Sequence, residues 1–149
     1  QENGTAQLLF LLIVVWAGDI TALYIGRALG RHPMAPILSP KKTWEGAVGS
    51  MIGSIVAGLA VVACGNHLYR SGIELLLYTQ SWWYWVGMAI LLNIAAQIGD
   101  LLESTIKRGA GIKDSGSILP GHGGVLDRID ALLLALPVLW YALLFRQAY

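Results

Sequence analysis

The sequence predicts an all-α, polytopic membrane protein with about four spanning helices and two cytoplasmic loops that carry the chemistry. Three observations support this. Hydrophobic residues make up 56% of the 149-residue chain and charged residues only 13%, against roughly 45–50% and about 25% in soluble domains. The apolar residues collect in runs long enough to cross a hydrocarbon core of about 30 Å, which takes about 20 helical residues. Most charges fall between these runs rather than inside them. The composition excludes intrinsic disorder and argues against a soluble enzyme. A formal net charge of +1 gives nucleic acid no basic footprint. Cys64, the only cysteine, forbids an intramolecular disulfide and is expected to pack as a small hydrophobe.

The first run, Leu8 to Gly26, follows Gln1-Glu2-Asn3-Gly4, which has neither an initiator Met nor a basic n-region. It therefore does not read as a cleavable signal peptide, and the chain reads as an excised or processed part of something longer. The second run, Ala47 to Cys64, has Gly49 and Gly53 in GxxxG spacing, with Ser50, Ser54 and Gly58 also spaced by four, a pattern suited to close helix contact in a membrane. The third, Trp82 to Leu102, opens with Trp82-Trp83-Tyr84-Trp85, as expected of an interfacial belt. The fourth, Val125 to Phe145, contains Pro137 and is expected to kink there. Between the first two runs, Ser39 before Pro40 resembles an N-cap with proline in the first turn, predicting a short helix at the membrane surface. The connection Gly65–Ser81, with Ile73, Leu75, Leu76, Leu77 and Tyr78, is expected to lie along the interface.

The charges orient these spans. Arg27, Arg31, Lys41 and Lys42 fall in one loop and Lys107, Arg108 and Lys113 in another, whereas the opposite side holds Arg70 and Arg146. The positive-inside rule then puts both basic loops in the cytoplasm and both termini outside.

Acidic residues interrupt or border the apolar runs: Asp19, Asp100, Asp127 and Asp130. A carboxylate at a helix centre costs roughly 2.5–3.5 kcal/mol on insertion scales, so each needs a partner or a task. Asp100, Ser104, Lys107 and Arg108 fall at i, i+4, i+7 and i+8 on one helix face, and Asp127 and Asp130 at i and i+3 on another. Oxygen ligands on two facing helix ends suit Mg²⁺, with waters and a substrate phosphate completing its shell. The loop between those ends supplies the opposite sign. Lys107, Arg108, Lys113 and His122 sit among six glycines, and His122-Gly123-Gly124 precedes a helix whose positive end can seat phosphate. Lys41-Lys42-Thr43 in the other loop can act as a second phosphate clamp or as a solvated basic pair attracted to the lipid surface. No Walker A pattern occurs.

Ser104-Thr105-Ile106-Lys107-Arg108, then Lys113-Asp114-Ser115-Gly116, then the unbroken stretch from Pro120 to Asp130 resemble the motif of the phosphatidate cytidylyltransferases, also called CDP-diacylglycerol synthases. Gly99-Asp100-Leu101 with Glu103-Ser104, the Ser39–Gly46 loop, and Trp16 with Asp19 are also similar to that family. One departure is Leu23 followed by Tyr24, where the family leads one to expect an aromatic at position 23. The resemblance implies a single membrane-embedded catalytic domain that lacks the family's further N-terminal helices. It also implies transfer of the cytidylyl group of CTP to phosphatidic acid, giving CDP-diacylglycerol and pyrophosphate at the cytoplasmic face of a bacterial inner membrane.

As to roles, the resemblance implies Mg²⁺, and K⁺ as a second metal, held by Asp100 and Asp127 with Ser104 and Asp130. Lys107, Arg108, Lys113 and His122 hold phosphates of CTP and the lipid, while Lys42 and Thr43 close the site. Ser39, Asp114, Gly123, Gly124 and Arg128 complete the substrate contacts, and Asp19 supports the site from deeper in the bilayer. Four helices leave a polar mouth poorly walled, so further helices or a homodimer partner are expected to cover it. The rival readings are a CTP-dependent lipid kinase of the polyprenol type and an ion-coupled transporter.

Overall fold

Each apolar run folds into a helix longer than the run. The computed structural model describes residues 4–36, 38–72, 76–112 and 126–148, apart from the side chains of 126–128, 147 and 148. Its elements in chain order are α1 (Gly4–Leu29), β1 (Pro33–Ala35), β2 (Ser39–Thr43), α2 (Trp44–Arg70), α3 (Trp82–Gly109) and α4 (Leu126–Ala148). All four helices are long and apolar enough to cross a bilayer. The protein is thus an all-α polytopic membrane protein, with a small antiparallel hairpin, β1–β2, among the described residues. The helix α4 runs through Pro137 without a break.

Small residues set the closest helix contact. Gly46, Gly49, Ser50, Ser54 and Gly58 are buried along α2, facing α1. A Cβ at Gly53 would sit 2.2 Å from Thr21 Oγ1, and one at Gly49 would sit 2.5 Å from Ile25 Cδ1. The GxxxG spacing is therefore the α1 interface, where backbones approach because no side chain separates them. Gly99 plays the same part between α3 and α4: a Cβ there would meet the Asp130 carbonyl oxygen at 2.7 Å.

Aromatic rings close one end of the bundle. Phe10 and Trp85 lie 4.8 Å apart between centroids, and Tyr78 meets Trp85 edge-on at 5.0 Å, separations typical of attractive ring pairs. The Tyr78 hydroxyl donates to the Ala6 carbonyl at 2.8 Å, and burial pushes this phenol up to about 12, so it stays a neutral donor.

Three expectations need correction here. Trp85 is 3% exposed and belongs to the core, whereas Trp83, at 83%, faces outward as a belt residue should. Residues 65–70 extend α2 rather than forming a connection, and Leu76 and Tyr78 pack on the core instead of lying along the interface; residues 73–75 lie outside the described residues. Cys64 is exposed on the outer face of α2.

The fourth correction shapes the site. Ser39-Pro40 does not open a helix: both residues lie in β2, and Thr43 is the cap of α2, accepting from the Gly46 N–H at 3.1 Å. Pro40 pushes Ser39 toward extended backbone, and Thr43 four residues later offers an equivalent cap with Glu45 in the first turn, where a carboxylate suits the helix dipole. His32 ties the hairpin down, its Nδ1 lying 2.6 Å from Glu45 Oε1.

Candidate functional site

The hairpin presents Lys41 and Lys42 at the end of the bundle where α1 and α3 finish. There Lys42 Nζ meets Asp100 Oδ2 at 2.5 Å, so the loop after α1 and the C-terminal part of α3 occupy one end. One turn further along α3, Glu103 is only 2% exposed and pairs with Lys107 Nζ at 2.5 Å, in i,i+4 spacing. A buried carboxylate without such a partner is strongly destabilising, which accounts for a lysine at position 107.

Asp130 reaches the same place from α4. The close seating of Gly99 on the Asp130 carbonyl brings the two helices together, and carboxylate oxygens of Asp100, Glu103 and Asp130 all lie within 4.8 Å of one another. Three hard oxygen donors at that separation, two of them half-buried and one buried, form an acidic group able to hold a metal ion. Asp19 on α1 has Asp100, Asp130 and Lys42 as its charged neighbours. A cavity of about 300 Å³ opens beside these groups, with Asp19, Lys41, Lys42, Ser50, Gln97 and Asp100 in its wall.

The structure thus gathers several residues singled out from the sequence. Lys42 meets Asp100 directly, Asp130 stands beside Asp100, and Lys107 pairs with Glu103 at the same place. Thr43 lines the cavity while capping α2, and Ser39 stands at the far end of β2, paired with Ala35. Ser104 is half-buried and Arg108 exposed on the last turns of α3. Asp127 and Arg128 lie in the first turn of α4, and their side chains fall outside the described residues; Lys113, Asp114, His122, Gly123 and Gly124 lie outside them altogether. Leu23 lines the cavity, whereas Tyr24 is exposed.

Glu103 is a member of this acidic group to which the sequence reading gave no role. Its spacing held the signal, since position 103 is i+3 from Asp100 and i−4 from Lys107 and so shares their face. Also unforeseen is a polar layer beneath the acids. Asn93 donates to Ser50 and Ser54, each at 2.8 Å, and accepts from Gln97 at 2.6 Å. Gly18 makes room for it, because a Cβ there would lie within 2.6–2.9 Å of Ser54, Asn93 and Ser50 side-chain atoms.

Comparison with known proteins gives the chain its relatives. Residues 1–145 match the model of the cytidylyltransferase family. A protein of Brucella abortus (strain 2308) named phosphatidate cytidylyltransferase is 45% identical over 137 residues, covering 92% of this chain and 46% of that protein. One of the same name from Brucella suis biovar 1 is 44% identical over the same coverage. Another, from Staphylococcus aureus (strain COL), is 37% identical over 139 residues, or 93% of this chain and 49% of that protein. The chain spans about half the length of the curated relatives it matches.

Proposed function

The chain belongs to the cytidylyltransferase family, and on that premise we propose that it transfers the cytidylyl group of CTP to phosphatidic acid, releasing CDP-diacylglycerol and pyrophosphate. The observation that carries this reading is the meeting of Lys42, from the hairpin, with the carboxylates of α3 and α4 at one membrane mouth, in a chain whose relatives bear that activity in their names.

The reaction joins two polyanions. An oxygen of the lipid phosphate forms a bond to the α-phosphorus of CTP, and the bond from that phosphorus to the pyrophosphate breaks. A phosphomonoester is mostly ionised at neutral pH, so the nucleophile needs no dedicated base. What the site must supply is alignment and compensating charge. Lys42 and Lys107 stand at the acids to receive phosphate oxygens, with Arg108 beyond them, and Lys113 and His122 are assigned the same task from the loop 109–124. Asp100, Glu103 and Asp130, with Asp127 and Ser104 beside them in sequence, are the residues that would hold Mg²⁺, and K⁺ as a second ion. When bound there, Mg²⁺ supplies charge neutralisation and orientation.

Label at the α-position of CTP is expected to enter chloroform-soluble lipid, and label at the γ-position to leave as pyrophosphate. Incorporation from the γ-position alone would make the protein a lipid kinase, and no labelled lipid with either nucleotide would leave the transporter reading.

We assign the lysine-bearing end to the cytoplasm and the protein to a bacterial inner membrane, because Arg27, Arg31, Lys41, Lys42, Lys107 and Arg108 collect at that end. Large apolar side chains such as Trp16, Ile52, Ile106 and Trp140 are exposed, and lipid, further helices or a homodimer partner is assigned to cover them. In a background with Cys64 replaced, single cysteines at Lys41 and Ser115 are expected to react with an impermeant thiol reagent from the cytoplasmic side, and one at Ser71 from the other side. Opposite-sided labelling of positions 41 and 115 would overturn the shared site.

A further inference from the structure

Ser50 and Ser54 are one turn apart on α2 and alike in sequence, yet their hydrogen bonds differ. Both accept from Asn93 Nδ2. The Ser54 hydroxyl then donates to the Val14 carbonyl at 2.8 Å, which uses its proton. The Ser50 proton has no acceptor among the described residues, although Ser50 is only 3% exposed. Gln97 donates from Nε2 to Asn93 at 2.6 Å and to the Ala47 carbonyl at 3.4 Å. Ser50 and Gln97 line the cavity that holds Lys42 and Asp100; Ser54 does not.

Depth decides what this layer can meet. Gln97 precedes Asp100 by three residues, about 4.5 Å along the helix toward the apolar middle. Beside it, an apolar groove of about 500 Å³ runs between α2 and α3, from Trp44 and Leu101 at the level of Asp100 to Ile52 and Ile94 deeper in the bundle. The groove and the polar cavity share Met34, Ala47 and Gln97. Charged, neutral polar and apolar surfaces therefore adjoin one another, as phosphate, ester linkage and acyl chain do in a glycerophospholipid. An anion entering this cavity is drawn to Lys41 and Lys42 in its wall, which leaves the uncharged layer at Ser50 and Gln97 to a neutral acceptor such as a carbonyl oxygen.

Resting on the function proposed above, we propose that the Ser50 hydroxyl donates to an ester carbonyl oxygen of phosphatidic acid. Asn93 and Gln97 hold that hydroxyl in position, and an acyl chain leaves along the groove between α2 and α3.

The test uses the full chain in micelles with diacyl phosphatidic acid and with a dialkyl analogue, which lacks the carbonyl oxygens. The unmodified protein is expected to show a KM about three- to tenfold lower for the diacyl lipid, as one neutral hydrogen bond allows. Ser50→Ala should raise the diacyl KM to the dialkyl value, with kcat and the KM for CTP little changed. Ser54→Ala should lower the melting temperature and keep the diacyl preference. An unchanged preference in Ser50→Ala, or its equal loss in Ser54→Ala, would overturn the assignment. Thermal stabilisation by the two lipids without CTP gives the same comparison without turnover, so the lipid contact can stand if the activity fails and can fail if the activity stands. Ile98→Trp, which fills the groove, should raise the KM more for long-chain than for short-chain diacyl lipid. Equal effects would mean that a second copy or another protein segment occupies the groove, and would overturn the acyl route.

Discussion

Asn in place of Asp100 is expected to cut turnover by about 10²–10³-fold while leaving the yield and melting temperature of the protein close to normal. The substitution keeps the side-chain volume and removes one negative charge from a group whose oxygens lie within 4.8 Å of those of Glu103 and Asp130. Losing charge compensation between two reacting polyanions forfeits several kcal/mol of transition-state stabilisation, hence the size of the effect. Folding should tolerate the change because Asp100 is half-buried and its partner Lys42 keeps access to solvent. Asp127→Asn tests the residue that the sequence motif puts beside Asp130, and Glu103→Gln the residue that the geometry adds. Initial rates across a Mg²⁺ titration, with melting curves in the same detergent, make the measurement. Near-normal rates at every Mg²⁺ concentration in Asp100→Asn would remove the metal assignment.

Much of the fold was legible because hydropathy reports burial in lipid directly. The runs Leu8–Gly26, Ala47–Cys64, Trp82–Leu102 and Val125–Phe145 each lie within a helix or overlap nearly all of it. They stop short where helices continue through polar residues, as α3 does through Glu103 and Lys107 to Gly109. The helix stripe at Gly49 and Gly53 was also legible, since small residues at i and i+4 let helix backbones approach closely in lipid.

The hairpin was not legible from local pattern, because Ser39-Pro40 and Thr43-Trp44 both present a plausible cap. The choice rests on the tertiary tie from His32 to Glu45 and the seating of Thr43 against Gly26 and Gly30. In the site, a lone carboxylate in an apolar run announces itself, as Asp19 and Asp100 did. Glu103 was harder to read because Lys107 offers it an ordinary i,i+4 ion pair, while the face that meets α4 runs through 99, 100 and 103. Asn93 and Gln97 stood in plain view at i and i+4, about two turns and one turn below Asp100. Neutral amides carry no charge cost, so they drew less notice than the acids.

Packing and chemistry meet at Gly99. A Cβ at that position lies 2.7 Å from the backbone oxygen of Asp130, a contact that no rotamer change can relieve. Gly99→Ala must therefore push α4 away from α3, and overpacking of this kind costs about 1–3 kcal/mol. The displaced residue is Asp130, whose carboxylate completes the acidic group with Asp100 and Glu103. The substitution is thus expected to lower the melting temperature by several degrees and to raise the Mg²⁺ concentration needed for half-maximal rate, with Gly99→Val more severe on both measures. Gly87→Ala is the matched control on the same helix: nothing lies within 4 Å of its Cβ, and losing a helical glycine should leave stability unchanged or raised by up to about 1 kcal/mol. If Gly99→Ala melts like Gly87→Ala and keeps the normal Mg²⁺ dependence, α3 and α4 do not approach at this point, and the acids they carry are not held together by it.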